Sequence, residues 1–327
     1  KVPAFPDGNV SSGAGRIWLI EGDEYARHFL AFHPSAILIN NIELDHTDIF
    51  PTLEDMIEAF RQLLHQVRDH GLVVVNADDR NVGTLIGSER AALEARGVRV
   101  VTCGYGAHAM VRVSDEGIRG GEQQFLLKDG AGRLIRSSLH IPGRMNICNA
   151  TGAAALALGL GAHPEAIRKA INAFTGIWRR FEKISEKDGV LVVSDYGHHP
   201  TAVRVTLEAA RAFYPGRRLV LCFQPHQHNR TRQLFLDFVP AFDLADALLL
   251  VEIYDVPGRK APEDEHISSR DLVDAIRHHD ADRLCQRPLE YAETPADALP
   301  VIARWKRRGD IIIVMGAGDV YKIAEQI

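Results

Sequence analysis

Residues 52–75, TLEDMIEAFRQLLHQVRDHGLVVV, carry the pattern on which the fold class depends. Their apolar side chains recur at the spacing of one helix face, with Thr52 as the N-cap and Gly71 beyond the C-terminus. The apolar run 72–75 follows directly and is typical of a buried strand. A helix that leads at once into a buried strand predicts a parallel sheet covered by helices.

The same alternation continues on both sides of this stretch. Residues 16–20 (RIWLI) and 36–40 (AILIN) predict two buried strands before it. Beyond it we predict a helix near 84–95, a strand at 98–102, an antiparallel insertion within 110–140 that turns at 128–130, and helices at 149–160 and 164–174. The first domain is therefore predicted to be α/β, with a mostly parallel sheet and an antiparallel insertion.

A second α/β unit is predicted to follow residues 175–187, which have mixed charge and no clear period. We place the domain boundary in that region and assign 1–180 and 181–327 to the two domains. Beyond it we predict strands at 190–193, 219–223, 247–252 and 310–315, separated by helices that begin near Thr201, Thr231, Ser269 and Pro295. This is a second doubly wound, Rossmann-like unit.

The composition excludes several classes of protein. The chain has 327 residues, 46% of them hydrophobic, and 38 basic against 43 acidic side chains give a net charge of -5. This balance argues against binding nucleic acid or an acidic membrane through bulk charge, and no apolar run approaches the ~20 residues of a membrane span. The four cysteines lack a CxxC pair and predict free thiols, and no signal peptide is visible, so we expect a cytoplasmic protein.

Polar clusters follow the predicted strands, where ligands bind in open α/β sheets. There are five such clusters, at 21–24, 43–48, 195–199, 224–230 and 316–319. Any one of them is explained by helix capping or solvation. Five clusters at the same edge of two sheets favour ligand-binding sites.

The two domains offer different donors at these positions. The first has the carboxylates and imidazole of Glu21, Asp23, Glu24 and His46, which suit Mg²⁺ beside a phosphate. The second has donors for anionic groups, namely His198, His199, His226, Arg230 and Lys322. This combination suits phosphoryl transfer from a nucleotide to an acid.

Nine segments in order along the chain resemble the Mur ligase family. They are EGDEY (21–25), NNIELDHTDIF (40–50), NADD (76–79), GRMNICNA (143–150), RRFE (179–182), SDYGHHPT (194–201), FQPHQHNRTR (223–232), EIYDVPG (252–258) and GAGDVYKIA (316–324). The resemblance implies a central ATP-binding domain followed by a C-terminal amino-acid-binding domain.

The resemblance also implies ATP-dependent synthesis of an amide bond for the bacterial cell wall. ATP would convert the carboxylate of UDP-N-acetylmuramate into an acyl phosphate, which L-alanine then attacks. This agrees with elementary chemistry, because a free carboxylate has no leaving group at neutral pH and must be activated. The activation depends mainly on positioning and on neutralising charge.

The family's functional residues transfer to positions that match its motifs. Metal binding falls to Glu21 and His46. Nucleotide binding falls to Asn146, Asn149 and Arg180, with Asp195 on the ribose. Tyr196, His226 and Arg230 would bind the substrates, and the predicted catalytic residues are His198, His199 and Arg230.

The chain departs from the family pattern in one major respect. It contains no Gly-Lys-Ser or Gly-Lys-Thr, the end of the glycine-rich loop that holds the nucleotide phosphates, and no domain for the UDP group. Met145, Gln227 and Ala26 are smaller departures within the motifs. We therefore expect an N-terminally truncated fragment that is inactive alone.

Two alternative readings stay open at the level of sequence. The 40–50 segment is slightly more similar to the family member that recycles a tripeptide, whereas the segments at 223–232 and 316–319 favour the member that adds L-alanine. The other reading is a non-catalytic remnant that binds a nucleotide or peptide.

Overall fold

The structure is a computed structural model that describes residues 1–2, 8–255 and 267–327. It divides into two compact units, one formed by Ser12–Thr175 and the other by Gly176–Ile327 together with Lys1–Ser11. The assignment of family domains to 1–180 and 181–327 stays a prediction.

The first unit contains a six-stranded sheet in the order β1-β2-β3-β4-β5-β6. The strands are parallel from β1 to β4 and antiparallel from β4 to β6, as predicted for the insertion. They span Ala36–Ile39, Leu72–Asn76, Arg99–Gly104, Val111–Arg119, Glu122–Lys128 and Leu134–Leu139. The helices of this unit are α1 (Leu53–Gln66), α2 (Arg80–Ala95), α3 (Arg144–Gly159) and α4 (Pro164–Ala173).

Helix α1 forms as its sequence predicts. Thr52 accepts a hydrogen bond from the N–H of Asp55, and the Asp55 carboxylate accepts one from the N–H of Thr52. This reciprocal cap satisfies two N–H groups that the helix itself leaves without partners. The buried face, which includes Met56 and Leu64, packs with α2 on one side of the sheet.

Helix α3 packs closely on the other side because two of its residues are glycines. A Cβ at Gly152 would lie 2.9 Å from Leu38 Cδ1, and one at Gly159 would lie 2.5 Å from Leu72 Cδ2. Both leucines belong to strands of the sheet. The small residues of α3 therefore set how near the helix lies to β1 and β2.

The second unit contains another six-stranded sheet, in the order β11-β10-β9-β12-β8-β7. All neighbouring strands are parallel except β7, which is antiparallel to β8. The strands β7 to β12 span Glu182–Lys187, Val190–Asp195, Arg218–Phe223, Ala247–Val251, Leu289–Ala292 and Asp310–Met315. The helices are α5 (Pro200–Phe213), α6 (His228–Gln233), α7 (Phe235–Ala241), α8 (Ser269–Asp282) and α9 (Pro295–Trp305).

The central strands of this sheet are buried on both faces, as a doubly wound unit requires. On β9, Leu219, Leu221 and Phe223 belong to one apolar cluster, while Val220 and Cys222 belong to another. The first cluster includes residues of α5, α7 and α8, and the second includes residues of α9. The predicted fold class is confirmed for both units.

One predicted strand does not form, and two observed strands were not predicted. Residues 16–20 do not form a strand, and their side chains lie in solvent, with Trp18 89% exposed. The run is apolar but has no neighbouring strand to pair with in this unit, so its composition alone does not make it a strand. Strands β7 and β11 were not predicted, because both lie at edges of the second sheet, where side chains are partly exposed and the sequence is not continuously apolar.

All four cysteines are free thiols. Burial raises the pKa of Cys103 and of Cys222 to about 12, so these two stay protonated at neutral pH. In the described part of the chain, no helix has both the length and the apolar character needed to cross a membrane.

Candidate active site

The loop that follows β8 is held in place by Asp195. Its carboxylate is buried and accepts hydrogen bonds from the N–H of Phe181 at 2.8 Å and the N–H of Gly197 at 2.7 Å. Burial raises the pKa of Asp195, which the two N–H donors oppose. Since both oxygens face the backbone, the geometry gives Asp195 a structural task in shaping this loop. The predicted contact with a ribose stays a prediction.

Five predicted site residues form a continuous row at the carboxyl edge of this sheet. The Arg180 guanidinium lies 5.2 Å from the centre of the Tyr196 ring. The ring centres of Tyr196 and His198 are 5.4 Å apart, and those of His198 and His226 are 5.7 Å apart. The row ends where Arg230 Nη1 lies 3.2 Å from His226 Nδ1. We name these five residues the cationic row, after the arginines at its two ends.

Arg230 projects from the short helix α6, which begins just after β9. Its side chain is 3% exposed, and Nη1 donates a hydrogen bond to the carbonyl of His226 at 3.2 Å. This bond orients the planar fork of donors, the geometry that matches carboxylate and phosphate groups. The placement fits the predicted role on an anionic substrate.

His199 is placed differently from the cationic row. It occupies the N-cap of α5, and its Nδ1 accepts a hydrogen bond from the N–H of Thr201 at 3.3 Å. Pro200 opens the helix, as the sequence predicts. A catalytic role for His199 stays a prediction beside this capping role.

The structure adds site residues that sequence reasoning missed. The Tyr254 ring stacks on His226, with centres 5.7 Å apart, and its backbone pairs with the loop after β9. His228 Nδ1 lies 2.6 Å from a carboxylate oxygen of Asp255. These residues lie in the quoted segments 223–232 and 252–258, but only the pairing of the two loops brings them together.

Gln224 supports the neighbouring loop from within the fold. It is buried, and its amide oxygen accepts a hydrogen bond from the N–H of Val320 at 3.0 Å. Its amide nitrogen donates to Asp319 at 3.3 Å. A polar residue directly after a buried strand was the only available signal of this role.

In the first unit, His46 is paired with a carboxylate. His46 Nε2 lies 3.3 Å from Glu24 Oε1, and the Tyr25 ring centre is 5.1 Å from that of His46. Glu21 is exposed. Within residues 1–2, 8–255 and 267–327, no three His, Cys, Asp or Glu side chains are grouped so as to hold a metal ion. The structure places Glu24, one of the carboxylates that the sequence offers for a metal, against His46, and the assignment of Glu21 and His46 as metal ligands stays a prediction.

The two predicted nucleotide-binding asparagines lie in the first turns of α3. Asn146 donates a hydrogen bond to the carbonyl of Pro142 at 2.7 Å, and Asn149 is exposed. The turn before the helix is held by Gln123, which sequence reasoning missed. Its buried amide donates to the carbonyl of Ile141 at 2.8 Å and accepts from the N–H of Gly143 at 3.0 Å. A glutamine at an inward position of a strand was its signal.

Two family profiles match the chain, each within one unit. Residues 20–157 match the Mur ligase middle domain, and residues 179–318 match the Mur ligase glutamate ligase domain. The UDP-N-acetylmuramate–L-alanine ligase of Desulfitobacterium hafniense is 32% identical over 320 residues, covering 98% of this chain and 68% of that protein. The chain belongs to the Mur ligase family.

Other Mur ligases show the same relationship. The UDP-N-acetylmuramate–L-alanine ligase of Desulforamulus reducens is 35% identical over 98% of this chain and 66% of its own length. That of Solidesulfovibrio magneticus is 37% identical over 95% of this chain and 65% of its own length. The chain thus spans about two thirds of the length of the curated relatives that it matches.

Solved structures of Mur ligases share the fold. The UDP-N-acetylmuramate–alanine ligase of Thermotoga maritima superposes with a TM-score of 0.70 at 22% identity, covering 92% of this chain and 60% of that one. The murein peptide ligase of Psychrobacter arcticus gives a TM-score of 0.58 at 19% identity, covering 92% of this chain and 59% of that one.

Of the nine family-like segments, the one at 252–258 extends beyond the described residues at positions 256–258.

Proposed function

We propose that this chain carries the ATP-binding and amino-acid-binding parts of a ligase that joins L-alanine to UDP-N-acetylmuramate. The reaction would supply a precursor of peptidoglycan in the cytoplasm. The observation that carries the proposal is the cationic row at the carboxyl edge of the second sheet. The names of the relatives that align over nearly the whole chain support it.

The cationic row offers what the activation of a carboxylate needs. Formation of an acyl phosphate brings an anionic carboxylate against a phosphoryl group whose negative charge is spread over its equatorial oxygens. Donors already fixed in a partly buried site stabilise that charge without reorganising during the reaction. Arg230 is oriented by His226, so it is the residue we assign to the anionic carboxylate or phosphate. His198 lies next to His226 along the row, and His199 caps helix α5.

Nucleotide-binding roles are proposed for Arg180, Asn146 and Asn149. Arg180 is exposed and lies beside the Tyr196 ring, and its guanidinium donors suit a phosphate. Asn146 and Asn149 lie in the first turns of α3, where amide side chains can bind a nucleotide. Asp195 acts on this region through the backbone of Phe181 and Gly197.

The donors near His46 fit a magnesium ion. Mg²⁺ keeps several waters and takes only one or two ligands from a protein beside substrate phosphates. The pair formed by Glu24 and His46, with Glu21 nearby in sequence, supplies donors of that number. Mg²⁺ held there would neutralise phosphate charge.

We propose that the 327 residues alone do not turn over ATP. The chain contains no Gly-Lys-Thr sequence to wrap the nucleotide phosphates, and about a third of each relative's length lies outside the match. The segment that holds the UDP group is proposed to lie in that additional length. Phosphate release from ATP by this chain alone, at the rate of an intact relative, would refute this part of the proposal.

The experiment that tests the function restores the uncovered part. A chimera would fuse the portion of the Desulforamulus reducens ligase that this chain does not match to the 327 residues. We expect phosphate release that requires both UDP-N-acetylmuramate and L-alanine. Replacing L-alanine by a tripeptide tests the alternative, in which this chain belongs to a murein peptide ligase. No release with either amine favours a non-catalytic remnant.

A matched pair of variants in the chimera tests the cationic row. Arg230→Met should lower kcat/KM by about a hundredfold or more, as loss of a charge-stabilising donor does elsewhere. Arg232→Met is the control, because Arg232 is an exposed arginine of the same helix. Equal losses in the two variants would remove Arg230 from the proposed site.

A further inference from the structure

The backbone on either side of Arg180 is held in an unusual conformation. Arg179 has φ of 57° and Phe181 has φ of 48°, both in the left-handed region that non-glycine residues rarely adopt. Such conformations cost about 1–3 kcal/mol each and persist only where surrounding contacts impose them. The strained backbone on both sides of Arg180 indicates that surrounding contacts fix the position of this residue.

The contacts that impose this conformation come from the loop after β8. The carbonyl of Arg179 accepts a hydrogen bond from the N–H of Tyr196 at 2.7 Å. The N–H of Phe181 donates to Asp195 at 2.8 Å. Arg180 thus lies between two residues that are both fixed to neighbouring positions of one loop.

The side chain of Arg179 adds a second set of contacts. It is 4% exposed, and its guanidinium carbon lies 5.4 Å from the Trp178 ring centre, 4.9 Å from that of Tyr196 and 4.2 Å from that of Tyr321. Its Nη2 donates a hydrogen bond to the carbonyl of Gly318 at 3.2 Å and another to that of Gly316. One guanidinium therefore joins three segments, at 178–181, 195–199 and 316–321.

Burying a cation in this space costs free energy. Burial lowers the pKa of Arg179, which shows the cost of removing its charge from water. Apolar side chains of similar volume often stabilise a fold as well as a buried charge does. What an apolar residue lacks is a planar group that binds ring faces and two carbonyls at once.

We propose that Arg179 is a positioning residue: held by three aromatic rings and the carbonyls of Gly316 and Gly318, it places Arg180 for nucleotide binding and fixes the Tyr196 ring beside it. This rests on the proposed function in assigning Arg180 to the nucleotide. Tyr196 lies between the two arginines, 4.9 Å from Arg179 and 5.2 Å from Arg180. A displaced Arg179 would therefore move the first two members of the cationic row.

The first test measures amide hydrogen exchange in the 327-residue chain without ligand. In Arg179→Met we expect exchange of the Phe181 and Tyr196 amides and of the peptide 316–321 to accelerate by about tenfold or more. Arg180→Met is the matched control, because it removes an adjacent, exposed arginine and should leave these rates unchanged. Unchanged exchange in Arg179→Met overturns the proposal. If Arg179→Met does not fold, Arg179→Lys keeps the charge without the fork, and the same criterion applies to it.

The second test is a double-mutant cycle on affinity for Mg-ATP, measured by calorimetry on the chimera. If Arg179 acts through Arg180, Arg179→Met should lower the affinity by about tenfold in the native background and have almost no further effect in the Arg180→Met background. A merely structural role predicts independent, additive losses, which would overturn the proposal. If the native chimera binds no Mg-ATP, the proposed function fails, while the exchange experiment still decides the role of Arg179.

Discussion

At the scale of single residues, Glu89 shows how a surface helix pair is joined by charge. On α2, its two carboxylate oxygens contact Arg61 and His65 of α1, the latter at 2.8 Å. The hydrogen bond with His65, followed by that with Arg61, lowers the pKa of Glu89 below its ordinary value of 4.5. Because the folded state binds this proton less readily, the pair stabilises the fold above pH 4.5 and loses this effect as the pH falls further.

This gives a prediction for Glu89→Gln. Near pH 7 the variant should have the lower melting temperature, and the difference from the native chain should shrink as the pH falls below 4.5. Thermal unfolding, followed by circular dichroism at evenly spaced values from about pH 3 to about pH 7, checks this prediction. A difference that stays constant over this range would contradict the argument.

Gly316 has neither the backbone conformation nor the space for a side chain. Its φ is 148°, and a Cβ would lie 2.6 Å from the backbone carbonyl oxygen of Gln224. Gly316→Ala should therefore destabilise the fold by about 1–3 kcal/mol in urea unfolding. Gly87→Ala is the control, because Gly87 lies within α2 with open space around it and alanine there should stabilise by up to about 1 kcal/mol. Equal effects of the two changes would show that the contact with Gln224 is unimportant.

Single residues also show what sequence could and could not predict at the site. Arg230 and His226 were predicted because their types suit anionic groups, and the structure places them 3.2 Å apart. Arg179 was not predicted, since its meaning comes from rings at 178, 196 and 321, which only the fold brings together. Glu24 was one of four candidate metal-binding side chains in the sequence, and only the fold shows that it lies against His46.

At the scale of elements, three helices begin with the same reciprocal cap. In α9, Thr294 accepts from the N–H of Asp297 at 3.3 Å, and Asp297 accepts from the N–H of Thr294 at 3.1 Å. Thr52 and Ser268 do the same for α1 and α8. Each cap places a carboxylate at the positive end of its helix, which adds a favourable charge interaction.

The cap of α9 gives a prediction for the whole element. Thr294→Ala should cost about 1 kcal/mol of unfolding free energy, because the N–H of Asp297 loses its side-chain acceptor. Thr84→Ala is the matched control, since Thr84 lies inside α2, where its hydroxyl bonds only the carbonyl of Arg80. Urea unfolding compares them, and a control that loses as much as the cap variant would argue against the capping explanation.

Elements with regular spacing were predictable and irregular ones were not. The start of helix α1 and both ends of strand β2 were predicted to within a residue because periodicity and flanking turn residues agree. Residues 16–20 have the composition of a strand, yet a strand also needs a partner with free backbone groups, which composition does not report. The start of α3 was placed too late because its first turn, from Arg144, contains no apolar period to mark it.

At the scale of the molecule, each unit contains its own apolar clusters. Those of the second unit draw only on residues 181–327, and those of the first only on residues 29–171. We therefore predict that residues 176–327 expressed alone fold and unfold cooperatively, as single domains of this size do. Near-ultraviolet circular dichroism and a single thermal transition check this, with residues 12–175 as the companion sample. A broad, non-cooperative transition for 176–327 would contradict it.

The exposed run at residues 17–20 has a consequence for how whole molecules behave toward one another. Ile17, Trp18 and Leu19 are each more than half exposed and adjacent, so they form an apolar surface in contact with water. At high concentration this surface should draw molecules together and give a negative osmotic second virial coefficient. Static light scattering should show that Trp18→Glu makes the coefficient more positive. Trp178→Glu adds the same charge at a less exposed tryptophan and should change the coefficient less.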